Sequence, residues 1–229
     1  MDQAIPRVLH LIWLGSPPPG FVAEAVELWR AALAVGWRVV LWDDTRTAAA
    51  GHGQLLDECP HPVVASNMLR AWLLYAYGGV YLDADVLPLG RPLDDRVGSD
   101  PGGRPRPPWV VREVEEHFSV CNAVLGFPAR HLLPGRVWAY SEQALRRPEL
   151  WRLPPSDLPW GGIAGPLVWA RLVLDTDDVQ ILPPESFFPV PWSGRDDIHA
   201  RDPKWLREAR GRHPRSFGMH EWRRSWETA

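Results

Sequence analysis

At 229 residues, with 45% hydrophobic and 23% charged residues and a net charge of −3, the chain is long enough to bury the core of one domain. That balance excludes disorder as the default state and gives no electrostatic case for nucleic acid or an anionic membrane surface. Cys59 and Cys121 form no disulfide framework and no Cys/His metal spacing, and no run approaches the ~20 apolar residues of a membrane span, so no transmembrane segment is expected.

A phosphate-bearing substrate would need local neutralisation here, by a metal or a few placed arginines. The 14 Trp and 25 Pro are both high. Tryptophan at this level suits stacking on flat or sugar-like ligands, although most such rings serve as core. Met1-Asp2-Gln3-Ala4 lacks the basic and apolar regions of a signal peptide, so a cytoplasmic location is the simplest expectation. The Lys-poor, Pro- and Trp-rich composition points to a GC-rich bacterial genome.

Pro6 to Gly15 reads as a buried strand, closed by Ser16-Pro17-Pro18-Pro19. Phe21 to Val35 has helical spacing and ends at Gly36, and Trp37 to Trp42 forms a second strand. Strand, helix, strand opens an α/β sheet. Thr45 to Cys59 is weakly patterned. Val63 to Tyr77 is a helix apolar on most of its surface, stopped by Gly78-Gly79. The apolar strand Val80-Tyr81-Leu82 then runs into Asp83-Ala84-Asp85. Asp94 to Pro108 is an excursion rich in Gly, Pro and Arg. Phe118 to Phe127 is a strand, Leu133 to Arg147 a helix, Trp151 to Pro166 a long loop, Leu167 to Leu174 a helix and Val179 to Leu182 a short strand. The tail from Pro183 is mostly irregular. One domain spanning residues 1–229 is expected, built on an α/β sheet flanked by helices.

At the end of the strand Val80-Tyr81-Leu82, alternation aims Asp83 and Asp85 to one side with Ala84 turned away, a place for a hard divalent cation. The bland alternative is a solvated strand end, and Asp175-Thr176-Asp177 shows the same spacing in a polar turn. Two carboxylates on one strand face do not flank a bond as glycosidase carboxylates do. His220 can join carboxylates on a metal, or simply pack near the end of the chain. His10, inside the first strand, is the stronger case for packing. Arg70, the one basic residue on an apolar helix, wants a carboxylate or phosphate; an internal salt bridge would also satisfy it. Trp13 can stack on a base or belong to the core.

Taken together, these residues resemble a known family. Ile5 through Gly15 resembles the opening of the DXD-containing sugar transferases. These include the yeast α-1,6-mannosyltransferase type and bacterial capsular sugar transferases, and are related to the catalytic domains of clostridial glucosylating toxins. Ala65 through Leu74 and Gly78 through Val86 resemble the family's central block. Asn122, Ala164-Gly165-Pro166, Phe187-Phe188-Pro189, His220-Glu221-Trp222 and Ser225-Trp226 fall in the family's order.

The resemblance implies an α/β fold of the GT-A glycosyltransferase type, with a single Rossmann-like mixed sheet. It implies retaining transfer from a UDP- or GDP-sugar to a glycan, lipid-linked or natural-product acceptor, assisted by Mn²⁺ or Mg²⁺. By the same resemblance Asp83, Asp85 and His220 hold the metal. Trp13, Asn67, Arg70, Asp83, Ser225 and Trp226 meet the donor, and Arg70, Asp83 and Asp85 carry catalysis. The loop with Gly162, Gly165 and Pro166 is the expected acceptor contact. The family usually has Asp at position 67; here it is Asn67, differing in charge and donor capacity. Alternatives are a catalytically silent sugar-nucleotide-binding or scaffold protein, and a nucleotidyltransferase. The latter would normally show a Gly-rich basic loop where this chain has Ser16-Pro17-Pro18-Pro19.

Overall fold

The computed structural model describes residues 3–115, 119–147, 161–198 and 202–223. Strand β1 (Val8–Ile12) leads into helix α1 (Gly20–Ala32), and β2 (Arg38–Trp42) returns parallel to β1, with Val8 opposite Arg38 and Ile12 opposite Trp42. Helix α1 buries Val22, Ala25, Val26 and Trp29, a stripe at helical spacing. It stops short of Val35, which is fully exposed.

The weakly patterned stretch is helical. It contains α2 (Asp44–Thr47), a π-turn over Ala48–His52 and α3 (Gly53–Glu58). Helix α4 (Pro62–Tyr77) begins with Pro62 in its first turn, and the His61 Nδ1 accepts from the Val63 N–H. It ends at Gly78, before β3 (Gly79–Leu82). Gly78 and Gly79 have φ of 64° and 106°. A Cβ on Gly79 would lie 2.4 Å from the Val8 carbonyl oxygen, and one on Gly78 would lie 2.5 Å from the Ala129 nitrogen. Glycine is required at both by conformation and by space.

The carboxylate pair is not on a strand. β3 ends at Leu82, and Asp83 to Val86 forms a turn closed by the Val86 N–H on the Asp83 carbonyl, 3.0 Å. A short strand β4 (Val86–Pro88) follows. The Asp94 to Pro108 excursion is stitched down: Arg7 pairs with Asp94, the Trp37 Nε1–H donates to Asp94, and Ile5 bridges Gly98. Next come β5 (Trp109–Arg112), unanticipated from sequence, β6 (Val120–Phe127), α5 (Leu132–Leu145), α6 (Gly161–Ala164), α7 (Pro166–Val173) and β7 (Gln180–Leu182). The tail is less irregular than expected, with α8 (Pro203–Arg212) and β8 (Gly218–His220).

Six strands form one mixed sheet in the order β2-β1-β3-β6-β5-β7. β1 is parallel to β2 and β3; β6 is antiparallel to β3 and β5. Alternate residues feed two cores. Val80 and Leu82 face α1, while Tyr81 faces α4, α5 and α7. The chain leaves β1 to one side for β2 and comes back to the other for β3. That reversal opens a crevice at the carboxyl ends of β1 and β3, the usual ligand position of open α/β sheets. A separate two-stranded ribbon pairs β4 with β8, with Val86 opposite His220.

Candidate active site

A cleft of about 390 Å³ lies at that crevice. Trp13, Arg70, Asp83, Asp85, His220 and Trp222 are among its walls. The β4–β8 ribbon explains how residues far apart in sequence meet there. Its register sets His220 against Val86, one residue past Asp85. The Trp29 Nε1–H donates to the Val86 carbonyl at 2.7 Å and pins the ribbon to α1.

Asp83, Asp85 and His220 each offer one ligand atom, all within 4.8 Å of one another. The His220 Nε2 is 3.1 Å from Asp85 Oδ1 and 3.8 Å from Asp83 Oδ2. The Arg223 N–H donates to Asp85 Oδ2 at 2.9 Å, so that carboxylate is held at both oxygens. Burial opposes charge on both Asp85 and His220, yet their mutual attraction prevails. Asp85 is held below its ordinary value and His220, also drawn by Asp83, above its own.

Asp83 is held from the other side. The Tyr81 hydroxyl donates to its Oδ1 at 2.5 Å, and the Arg70 Nη1 lies 3.2 Å from the same oxygen. Burial and the neighbouring Asp83 push the Tyr81 phenol well above its usual range against the pull of Arg70, so it stays a neutral donor. Arg70 is buried, stacks 4.5 Å from the Tyr81 ring centre and donates to the Asn122 carbonyl at 2.6 Å. Both readings of Arg70 meet here, since its salt bridge is to a residue of the cleft itself.

Asn67 lines the cleft one turn before Arg70. The Asn122 Nδ2 donates to Asn67 Oδ1 at 3.0 Å and to the Ala164 carbonyl at 3.4 Å. Trp13 stands at the cleft's β1 end, edge-on to Phe21, its Nε1–H donating to Ser16. Of the expected acceptor loop, Pro166 lines the cleft, Gly165 caps α7 and Gly162 lies in α6. Ser225 and Trp226 lie outside the described residues.

Sequence reasoning passed over Tyr81, Glu113 and Trp192, which also line the cleft. Tyr81 could have been found, since it alternates with Asp83 along the chain. Asp175 pairs with exposed Arg136 away from the cleft, in keeping with a polar turn.

Two carboxylate oxygens and one imidazole nitrogen suit a divalent ion such as Mn²⁺ or Mg²⁺. The fit is chemical as well as spatial. Two carboxylates this close repel unless a cation joins them, and the Arg70 guanidinium at 3.2 Å from Asp83 and the His220 imidazole at 3.1 Å from Asp85 face them here.

Residues 22–101 match the family model described as the glycosyltransferase sugar-binding region containing DXD motif. Inositol phosphoceramide mannosyltransferase 3 of Schizosaccharomyces pombe is 30% identical over 142 residues, covering 57% of this chain and 35% of that protein. The chain thus spans about a third of the length of that relative. A glycosyltransferase involved in glycosylation of the major capsid of PBCV-1 superposes with a TM-score of 0.52 at 12% identity, over 94% of this chain and 92% of the other. The glycosyltransferase GlyE of Streptococcus pneumoniae superposes at 0.54 with 12% identity, over 94% of this chain and 54% of that one. Residues 22–101 are thus similar to the sugar-binding region of the DXD-motif glycosyltransferases, and they sit within a fold shared with solved glycosyltransferases.

Proposed function

We propose that the protein transfers a sugar, with retention of configuration, from a UDP- or GDP-sugar to an acceptor hydroxyl. The observation that carries this reading is the convergence of Asp83, Asp85 and His220 in a cleft that has Trp13 at its β1 end. In this reading residues 1–229 act as one catalytic unit.

The chain's own groups suit the parts of such a donor. Trp13 offers an aromatic surface for the base. Arg70 holds a guanidinium beside Asp83, within the cleft that receives the donor phosphates and sugar. Asn67 and Asn122 supply amides toward the sugar. Asp83 and Asp85 are fixed in place by Tyr81, Arg70, Arg223 and His220, so no reorganisation is needed when charge develops. A divalent ion held by Asp83, Asp85 and His220 would neutralise the diphosphate and stabilise the charge left on the departing oxygen.

The test is a thermal-shift panel of nucleotide sugars with and without Mn²⁺. A Mn²⁺-dependent rise in Tm for one nucleotide class, with turnover of that donor, is the expected result. Absence of any shift across UDP- and GDP-sugars would rule the assignment out. No described helix is long and apolar enough to cross a membrane.

A further inference from the structure

Strand order turns the mouth of the cleft into a ruler. Neighbouring strands lie about 4.8 Å apart. β1 leads to Trp13, β3 to Asp83, β6 carries Asn122 and β5 leads to Glu113. From β3 to β5 is two strand spacings across the sheet, roughly 10 Å. The Asp83 N–H meets the Ala123 carbonyl of β6, while the Glu113 N–H meets the Ser119 carbonyl, four residues earlier in the chain. A donor lying with its base at Trp13 and its diphosphate at Asp83 and Asp85 reaches Asn122 with its sugar. Glu113, on the strand beyond the one that carries Asn122, lines the same cleft.

The chain is shaped to put Glu113 there. Register shifts between Val110 and Val111, a bulge that re-aims the residues after it. The Glu113 N–H then donates to the Ser119 carbonyl at 3.2 Å and fixes the backbone. Glu113 faces the cleft alongside Cys121 and His220, and its negative charge is felt by both. An aromatic plane shares this cleft. Trp192, 37% exposed, meets Trp222 edge-on at 5.8 Å, and Trp222 meets His220 at 4.1 Å. A carboxylate for hydroxyl groups and an indole face for C–H groups suit a polyhydroxylated ring.

We propose that this end of the cleft is an acceptor subsite for a sugar or cyclitol ring. The Glu113 carboxylate receives hydrogen bonds from its hydroxyls and Trp192 stacks on its face. The subsite rests on the transferase reading above. It narrows the acceptor from any hydroxyl compound to a ring polyol, with a phenol or an amine as the excluded classes.

The experiment uses the full chain, Mn²⁺ and the nucleotide sugar that shifts its Tm. Free hexoses, myo-inositol, a phenol and an amine are offered as acceptors, and transfer is measured against donor hydrolysis. A ring polyol should be glycosylated in preference to the phenol and the amine. In Glu113→Gln the ratio of transfer to hydrolysis should fall tenfold or more, with partial recovery in Glu113→Asp. Trp192→Ala should lower the same ratio, which guards against a folding defect in one variant. Preferred transfer to the phenol or the amine overturns the subsite, as does a wild-type ratio in both Glu113→Gln and Trp192→Ala. A wild-type chain that binds no nucleotide sugar sinks the transferase reading, and the subsite with it; that failure shows in the Tm before any acceptor is added.

Discussion

Two buried histidines mark the two ends of β3. His10 is 1% exposed and His220 is 7% exposed, so burial does not distinguish them. Their partners do. The His10 Nδ1 accepts from the Trp42 Nε1–H at 3.1 Å, which leaves Nε2 to donate to the Gly78 carbonyl at 2.9 Å. Both partners are neutral and both nitrogens are used. Burial therefore drives the His10 pKa down to about 4, and the ring remains uncharged. His220 faces two carboxylates instead, and its charge is favoured. A buried histidine surrounded by amide and indole partners is architecture. One surrounded by acids is a place where a proton and a metal can compete.

The largest effect should come from breaking the acidic end alone. Asp83→Asn or Asp85→Asn should lower turnover of the bound donor about a hundred- to a thousandfold, with folding intact by circular dichroism. Full activity in either variant would remove the metal assignment.

The neutral end predicts an acid weakness. The unfolded chain takes up a proton at His10 near pH 6.5, while the folded chain resists until about pH 4. Stability attributable to this group is present above pH 6.5 and falls as pH drops, by about 3 kcal/mol at pH 4 given about 1.4 kcal/mol per pH unit. Urea unfolding across that window should show the slope. His10→Gln, which offers one acceptor and one donor in similar positions, should flatten it.

At the acidic end a divalent ion must displace the proton that His220 holds above its ordinary range. Mn²⁺ affinity should weaken about tenfold per pH unit below that raised value and level off above it. Calorimetric titration at several pH values would reveal this, and a pH-independent Kd would exclude His220 as a ligand.

Smaller still, Trp42→Phe removes the donor to the His10 Nδ1. It should cost about 1 kcal/mol of stability without changing Mn²⁺ binding. Asp175→Asn should change neither stability nor turnover measurably, since its partner Arg136 is exposed.

The same two ends show how far sequence carries. Around β3 the signals were strong and local. An apolar helix starts at Pro62, two glycines stop it and an apolar strand follows, so α4 and β3 were found almost to the residue. The carboxylates were located for an incomplete reason. Strand alternation was expected to aim them, whereas a turn does so, fastened by Arg223 and Tyr81. What escaped was short and non-local. β4 and β8 have three residues each and exist because they pair with each other. β5 follows a proline-rich excursion, and Glu113, beyond its bulge, reads in sequence as part of a charged run. No window around His220 reports that residue 86 lies across from it.

The ribbon of β4 and β8 has a consequence in time. Asp85 and Arg223, joined by a hydrogen bond, stand 138 residues apart in the chain. During synthesis the two aspartates emerge long before His220 and Arg223, so a partly made chain holds two acids without their imidazole or the amide that fastens Asp85. The carboxylate pair is completed only when the ribbon closes. Site and ribbon are thus finished in one late event, and a chain stalled before β8 would carry the motif without the ligand set.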